Sequence, residues 1–242
     1  RDIAQRKKAE DAVRVIQAKM AQDIELARRV QLELLPKLPK SPRVDVHCLY
    51  YPANLVNGDS YHLEWRNEGK LLCGFLIDVT GHGMATALQT ASINVLLREG
   101  AAAKLPLLGQ LRWINARAAK YFTEGAYVAM LAFELDFTLR ELRYAGAGIA
   151  QFYANGTKIE TPGMFVGMWE DAEFTLGVLT VSEGDTFYFL TDGFTDALAQ
   201  PETAGIGLPE GEDFKAHVAM LEELAGSGTL KDDATGICLQ IK

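Results

Sequence analysis

Cysteine is scarce in this chain: Cys48, Cys73 and Cys238 lie far apart, with no CxxC spacing. That excludes a disulfide-stapled scaffold and a thiolate zinc site. Cys73 and Cys238 sit in apolar runs, as expected of buried thiols in a reducing, cytoplasmic compartment. Long apolar runs are missing too: none approaches the roughly 20 residues of a membrane span, and no secretory leader is recognisable. Positive charge is in deficit, with 24 Lys and Arg against 32 Asp and Glu and a net charge of -8. A nucleic-acid binder with a basic face is therefore not expected. Repeats and low-complexity tracts are absent. What is present, 48% hydrophobic and 23% charged residues over 242 positions, is ordinary for one large folded domain or two small ones. The chain begins at Arg1 rather than Met, as a piece of a longer protein would.

Residues 1–35 contain neither Gly nor Pro and are rich in Ala, Lys, Glu, Arg and Gln. Apolar residues recur at Val13, Ile16, Met20, Ile24, Ala27 and Leu34, spacings of three and four or their sum, which make one stripe along a helix. So narrow a stripe on so polar a helix reads as a coiled-coil seam, with a helix docked on its own domain as the alternative. Pro36 and Pro39 stop it. The expected organisation is a linker helix over 1–35 followed by a domain over 36–242.

Beyond Pro39 the pattern turns to β-rich runs at 44–51, 71–77, 127–135, 142–144, 148–153, 186–190 and 236–241. Helical periodicity occupies 84–99, 105–122 and 212–224. Strands, two helices, more strands, a helix and a last strand do not alternate as a parallel βαβ sheet does. The order predicts an α+β fold of mainly antiparallel sheets covered by helices.

One local pattern occurs four times, a carboxylate beside a turn at the end of an extended or apolar run. It appears as VNGDSYH (Asp59), FLIDVTGHG (Asp78), FYFLTDGFTDA (Asp192) and LKDDATGICLQ (Asp232 and Asp233). Taken singly, each reads as an Asp-Gly turn or a strand-end cap. Asp78 and Asp192 weigh more, because each follows several apolar residues and should emerge where a buried strand ends, a costly place for a charge. Carboxylates converging without Cys or His suit hard cations such as Mg²⁺ or Mn²⁺. Neighbouring glycines let an ion or phosphate approach the backbone.

In order, LLP, YYPANLVNGDSYH, LIDVTGHGMATAL, YAGAG, FLTDGFTDA and KDDAT resemble the bacterial metal-dependent Ser/Thr protein phosphatases of the PPM class, in their RsbU/SpoIIE branch. The likeness runs over about residues 25–242. It implies an α-β-β-α sandwich of two mainly antiparallel sheets, preceded here by the coiled-coil-like helix. It also implies two Mn²⁺ or Mg²⁺ ions held by Asp59, Asp78, Asp192 and Asp232, with the Val79 carbonyl as a further ligand. Gly58, Gly193, Asp233 and His62 stand where they would tune that centre.

The chain departs from the family pattern in three places. Relatives often read GGDYYD where this chain has Asn57-Gly58-Asp59-Ser60-Tyr61-His62, so His62 replaces an acid. NAGH becomes Ala145-Gly146-Ala147-Gly148, and the usual serine before Gly81 is Thr80. None of these changes removes a metal carboxylate. His82 reads either as a general acid, since imidazole titrates near neutral pH, or as a side chain packing the glycine turn. His47 and His217 read as structural.

The resemblance implies hydrolysis of phosphoserine or phosphothreonine on a protein, with a STAS-domain anti-anti-sigma protein as substrate in a partner-switching pathway. The alternative is a catalytically degenerate module that docks a signalling partner. RDIAQRKKAE at the start is similar to the exit of a PAS sensor domain, with Ala4-Gln5 in place of Thr-Glu. Sensor, linker and phosphatase would make a signal-transduction protein, expected to be a homodimer paired through residues 1–35.

Overall fold

The computed structural model describes residues 2–37, 40–81, 83–122, 126–199, 213–228 and 230–242. Helix α1, Asp2–Leu34, leads into two five-stranded antiparallel sheets. The first sheet orders β1 (Val44–Tyr51), β10 (Ala234–Ile241), β9 (Thr186–Leu190), β6 (Gln151–Ala154) and β7 (Thr157–Glu160). The second orders β2 (Asp59–Arg66), β3 (Leu71–Val79), β4 (Val128–Asp136), β5 (Glu141–Ala147) and β8 (Gly177–Thr180).

Three apolar layers hold the sandwich together. Between the sheets, Phe133 and Phe152 both stack on Phe189, with ring centroids 4.3 and 4.9 Å apart. Outside the second sheet, Phe75, Ile77 and Met130 meet α2 (Met84–Ala102) and α3 (Leu107–Tyr121). Outside the first, Leu49, Tyr188 and Cys238 meet α4 (Asp192–Leu198) and α5 (Phe214–Gly226). The result is the expected α-β-β-α order. β3, β4 and β9 are buried on both faces, which is why they read as nearly continuous apolar runs rather than alternating ones.

Several boundaries differ from the sequence reading. β2, β7, β8 and α4 were not anticipated, and the strand expected at 142–144 runs over Glu141–Ala147. The last helix begins at Phe214; Glu212, where it was expected to start, lies outside the described residues, as does Pro39. The apolar stripe of α1 divides in two. Val13, Ile16 and Met20 are 52%, 60% and 58% exposed, whereas Ile24, Ala27 and Leu34 are partly buried. The Leu34 carbonyl accepts a bond from Arg98 Nη2 in α2 at 3.0 Å. The last turns of the helix dock on the domain and the earlier ones do not. No described helix is long and apolar enough to cross a membrane.

Candidate metal centre

Asp59 opens β2 and pairs directly with Asp78 near the end of β3. Directly opposed residues on adjacent strands project to the same face. Here that face is the one between the sheets, shared with Tyr61 and Leu76. Asp59 is 1% exposed. Thr191, which follows β9 in the other sheet, donates its hydroxyl to Asp59 Oδ2 at 2.7 Å. The Asp59 N–H donates to Asn57 Oδ1 at 2.7 Å. Burial and the Asp78 charge hold the Asp59 carboxyl well above the usual range, opposed by the Thr191 bond. Asp78 is pushed up to about 7, first by burial and then by Asp192, Asp232 and Asp233.

Gly58 lies against the end of β3. A Cβ on it would stand 2.9 Å from the Val79 carbonyl oxygen and 3.2 Å from Thr86 Cγ2. Its own carbonyl accepts from Val79 N at 3.3 Å and from Thr90 Oγ1 at 2.9 Å. The strand ending is pinned from the other side as well, because Thr80 Oγ1 donates to the Tyr127 carbonyl at 2.9 Å.

Asp192 is the first residue of α4, where the helix dipole favours an anion. Burial raises its pKa, followed by the charges of Asp232 and Asp196. Gly193 packs so tightly on the Asp233 carbonyl that a Cβ there would overlap it. Asp233 uses both carboxylate oxygens on backbone, accepting from Ala53 N at 2.7 Å and Gly58 N at 2.8 Å. It therefore latches the 53–58 loop to the start of β10. Asp232 Oδ1 accepts from Asp233 N at 2.8 Å, and its side chain is exposed.

The two sheets thus deliver Asp59, Asp78, Asp192 and Asp232 to one rim of the sandwich. All the side-chain donors are oxygens, as a hard cation requires. The Asp78 charge raises the proton affinity of Asp59, and the charges of Asp192 and Asp232 raise that of Asp78, a cost that a bound cation would offset. Among the described residues no three acidic, His or Cys side chains are drawn together tightly enough to form a closed cage. On donor chemistry the residues fit a divalent-metal centre. Beside it opens a cleft of ≈ 430 Å³ lined by Asp78, Gln151, Phe165, Asp192, Thr195 and Asp196.

Residues 68–242 match the family model described as Stage II sporulation protein E (SpoIIE). The chain belongs to the SpoIIE family. Phosphoserine phosphatase RsbP of Bacillus subtilis is 25% identical over 187 residues, 73% of this chain and 46% of RsbP. Phosphoserine phosphatase RsbU of the same organism is 23% identical over 191 residues, 76% of this chain and 56% of RsbU. The chain thus spans about half the length of these curated relatives. Among solved structures, the SiaA PP2C domain of Pseudomonas aeruginosa matches with a TM-score of 0.71. That match covers 94% of this chain and 99% of that domain at 20% identity, and establishes a PP2C-like fold.

The SpoIIE match contains Asp78, Asp192 and Asp232 but begins after Asp59, so Asp59 joins the group on geometry and on the motif reading. His62 lies on the opposite face of β2 from Asp59. It is buried at 8% exposure, with its ring 6.5 Å from that of Phe75 and its Nε2 3.7 Å from Glu64 Oε2. Any influence on the centre has to pass through the strand. His82 lies outside the described residues. Gly148, in the altered Ala-Gly-Ala-Gly segment, has a φ of 104°, a conformation glycine alone adopts at little cost. Sequence reasoning missed Thr191 and Gln31. Thr191 adjoins the TDG motif and was within reach; Gln31, inside a polar helix, carried no local signal.

Proposed function

We propose that this chain is a metal-dependent protein phosphatase acting on phosphoserine or phosphothreonine. The observation that carries the reading is the convergence of Asp59, Asp78, Asp192 and Asp232 on one rim, with the buried Asp59 directly opposed to the half-buried Asp78. These four and the Val79 carbonyl would hold two Mn²⁺ or Mg²⁺ ions. Bound there, such ions supply a nucleophilic water at neutral pH and a positive clamp for the phosphoryl oxygens. The protein's part is placement. Thr191 orients Asp59, Asp233 fixes the loop in front of it, and Gly58 and Gly193 allow the backbones to close up. The adjoining cleft would receive the phosphorylated segment of a partner protein.

The substrate is a STAS-domain protein in this reading, and regulation comes through the N-terminal helix of a homodimer in the cytoplasm. Support comes from the motif resemblance and from two relatives named phosphoserine phosphatases. The test is hydrolysis of an aryl phosphate, and then of a phosphorylated STAS-domain protein, with and without Mn²⁺. Turnover should require the metal, stop on chelation, and fall by orders of magnitude in Asp78→Ala and Asp192→Ala. Near-parental turnover in both variants would overturn the two-metal reading.

A further inference from the structure

A second cavity, of ≈ 330 Å³, opens at the end of the sandwich away from the carboxylates. Its floor is apolar: Leu135, Val181 and Ile241 are buried there, with Phe137 half-buried beside them. Leu71, which starts β3, pairs with Asp136 on the cavity wall. Asp78 lies about 23 Å further along the same strand, so the cavity is separate from the metal centre and its cleft. The segments around it are fixed to one another by backbone bonds. Val181 N donates to the Arg140 carbonyl at 2.8 Å, Gly184 N to the Ile241 carbonyl at 3.0 Å and Lys242 N to the Arg43 carbonyl at 2.9 Å.

We infer that this cavity is a binding site for a small amphipathic anion, an apolar body that carries one carboxylate, sulfonate or phosphate group. Arg43, Arg140 and Lys242 stand at its rim against Asp136 and Glu183, a positive excess on a chain whose net charge is -8. Asp136 is committed to its turn, where Oδ1 accepts from Thr138 N at 2.8 Å and from Leu139 N at 2.9 Å. Lys242 is paired with Asp45. That leaves two guanidiniums facing the exposed Glu183. Arg43 holds its charge 5.8 Å from the centre of the Phe137 ring, beside the apolar floor. Among the described residues the Arg140 side chain makes no hydrogen bond or ion pair. Arg140 also has a φ of 56°, a left-handed conformation that disfavours any residue with a Cβ. Glycine would make the same turn without that strain, so the turn by itself does not call for arginine. A guanidinium binds a carboxylate or phosphate through paired N–H donors. The volume lies at the lower end for small-molecule sites and suits a short acyl chain or a single ring.

The experiment titrates octanoate into the full chain and follows the backbone amides of Val181, Gly184 and Lys242 by NMR. Metal-free buffer keeps the result independent of the metal-centre reading. Octanol and inorganic phosphate are the controls, each carrying one half of the chemistry. Octanoate should shift these amides saturably, and each control should bind at least roughly tenfold more weakly. Arg140→Gly removes the guanidinium and places a residue that adopts that φ freely, so the fold is kept while octanoate affinity falls about tenfold. Arg43→Gln should weaken octanoate to a similar extent. Absence of saturable shifts at millimolar octanoate, either control binding as tightly as octanoate, or parental affinity in both variants would overturn the inference. Should Arg43→Gln melt below the assay temperature, parental affinity in Arg140→Gly alone overturns it.

Discussion

Asp59 and Asp78 face each other across two antiparallel strands, on the face that looks into the sandwich. Like charges in that relation destabilise a sheet, and burial adds to the cost. Asp78 is raised from 3.8 to about 7, so between those two values the native state holds a proton that the unfolded chain has already released. Its contribution to stability is complete below about 4 and is lost as pH rises through about 7. Without metal, the melting temperature should fall between pH 5 and 8, and Asp78→Asn should flatten that fall and raise stability at pH 8. Thermal melts in chelator check this; a variant less stable than its parent at pH 8 would contradict it. A divalent cation should reverse the trend, since it favours the ionised carboxylates.

Thr191 ties the two sheets together at the site. Its hydroxyl donates to Asp59 and accepts from Thr235 N at 2.9 Å. Thr191→Val leaves a buried carboxylate and a buried N–H without that partner, at a cost of about 1–3 kcal/mol in stability. Thr191→Ser keeps both bonds and should stay near the parent. Denaturant titration of both variants decides the matter; a loss in Thr191→Ser as large as that in Thr191→Val would contradict the role given to the hydroxyl.

The apolar runs of β3, β4 and β9 were legible because strands buried on both faces need no alternation. β2, DSYHLEWR, was not. Ser60, His62, Glu64 and Arg66 point towards the helix layer, where polar partners such as Asn94 and Gln110 satisfy Ser60 and Arg66. A polar residue at such a position looks solvent-exposed from sequence. α4 was hidden by its length and by an Asp-Gly start that reads as a turn, and β7 and β8 are four-residue strands at sheet edges. The four carboxylates proposed for the site stand out in the sequence because each sits in a distinctive short motif. The residues that steady them were harder to see. Gln31 acts across 26 positions and Thr191 across 132, and no local periodicity encodes a partner that distant.

His62 occupies a position where relatives often carry an acid, yet it packs under α2 beside Glu64 rather than toward Asp59. His62→Ala should therefore keep metal-dependent turnover within about tenfold of the parent. His62→Asp should lose stability, because it buries a second carboxylate next to Glu64 without a cation of its own. Steady-state kinetics with an aryl phosphate, alongside melts, separate the two effects. Complete loss of turnover in His62→Ala with Mn²⁺ affinity intact would instead make the imidazole an essential acid or base.

The upstream part of α1 should pair with a second copy of itself. From residue 10 to residue 23 every side chain is exposed, including Val13, Ile16 and Met20 on the apolar stripe. A helix of 33 residues is about 50 Å long, and a stretch without packing is only marginally stable in water. A second helix laid along the stripe would supply that packing in the manner of a coiled coil. Only the last turns dock on the domain, through Gln31 and Leu34, so pairing upstream and seating downstream act on one rigid element. Removal of residues 1–25 leaves Gln31 in place and should convert a dimer to a monomer with altered turnover. Either direction of change fits, since a linker can hold the more active or the less active arrangement. Sedimentation of the full and shortened chains tests the pairing, and Mn²⁺-dependent kinetics of both test the coupling. A full chain that is monomeric at high micromolar concentration, with turnover unchanged by the truncation, would sink the idea.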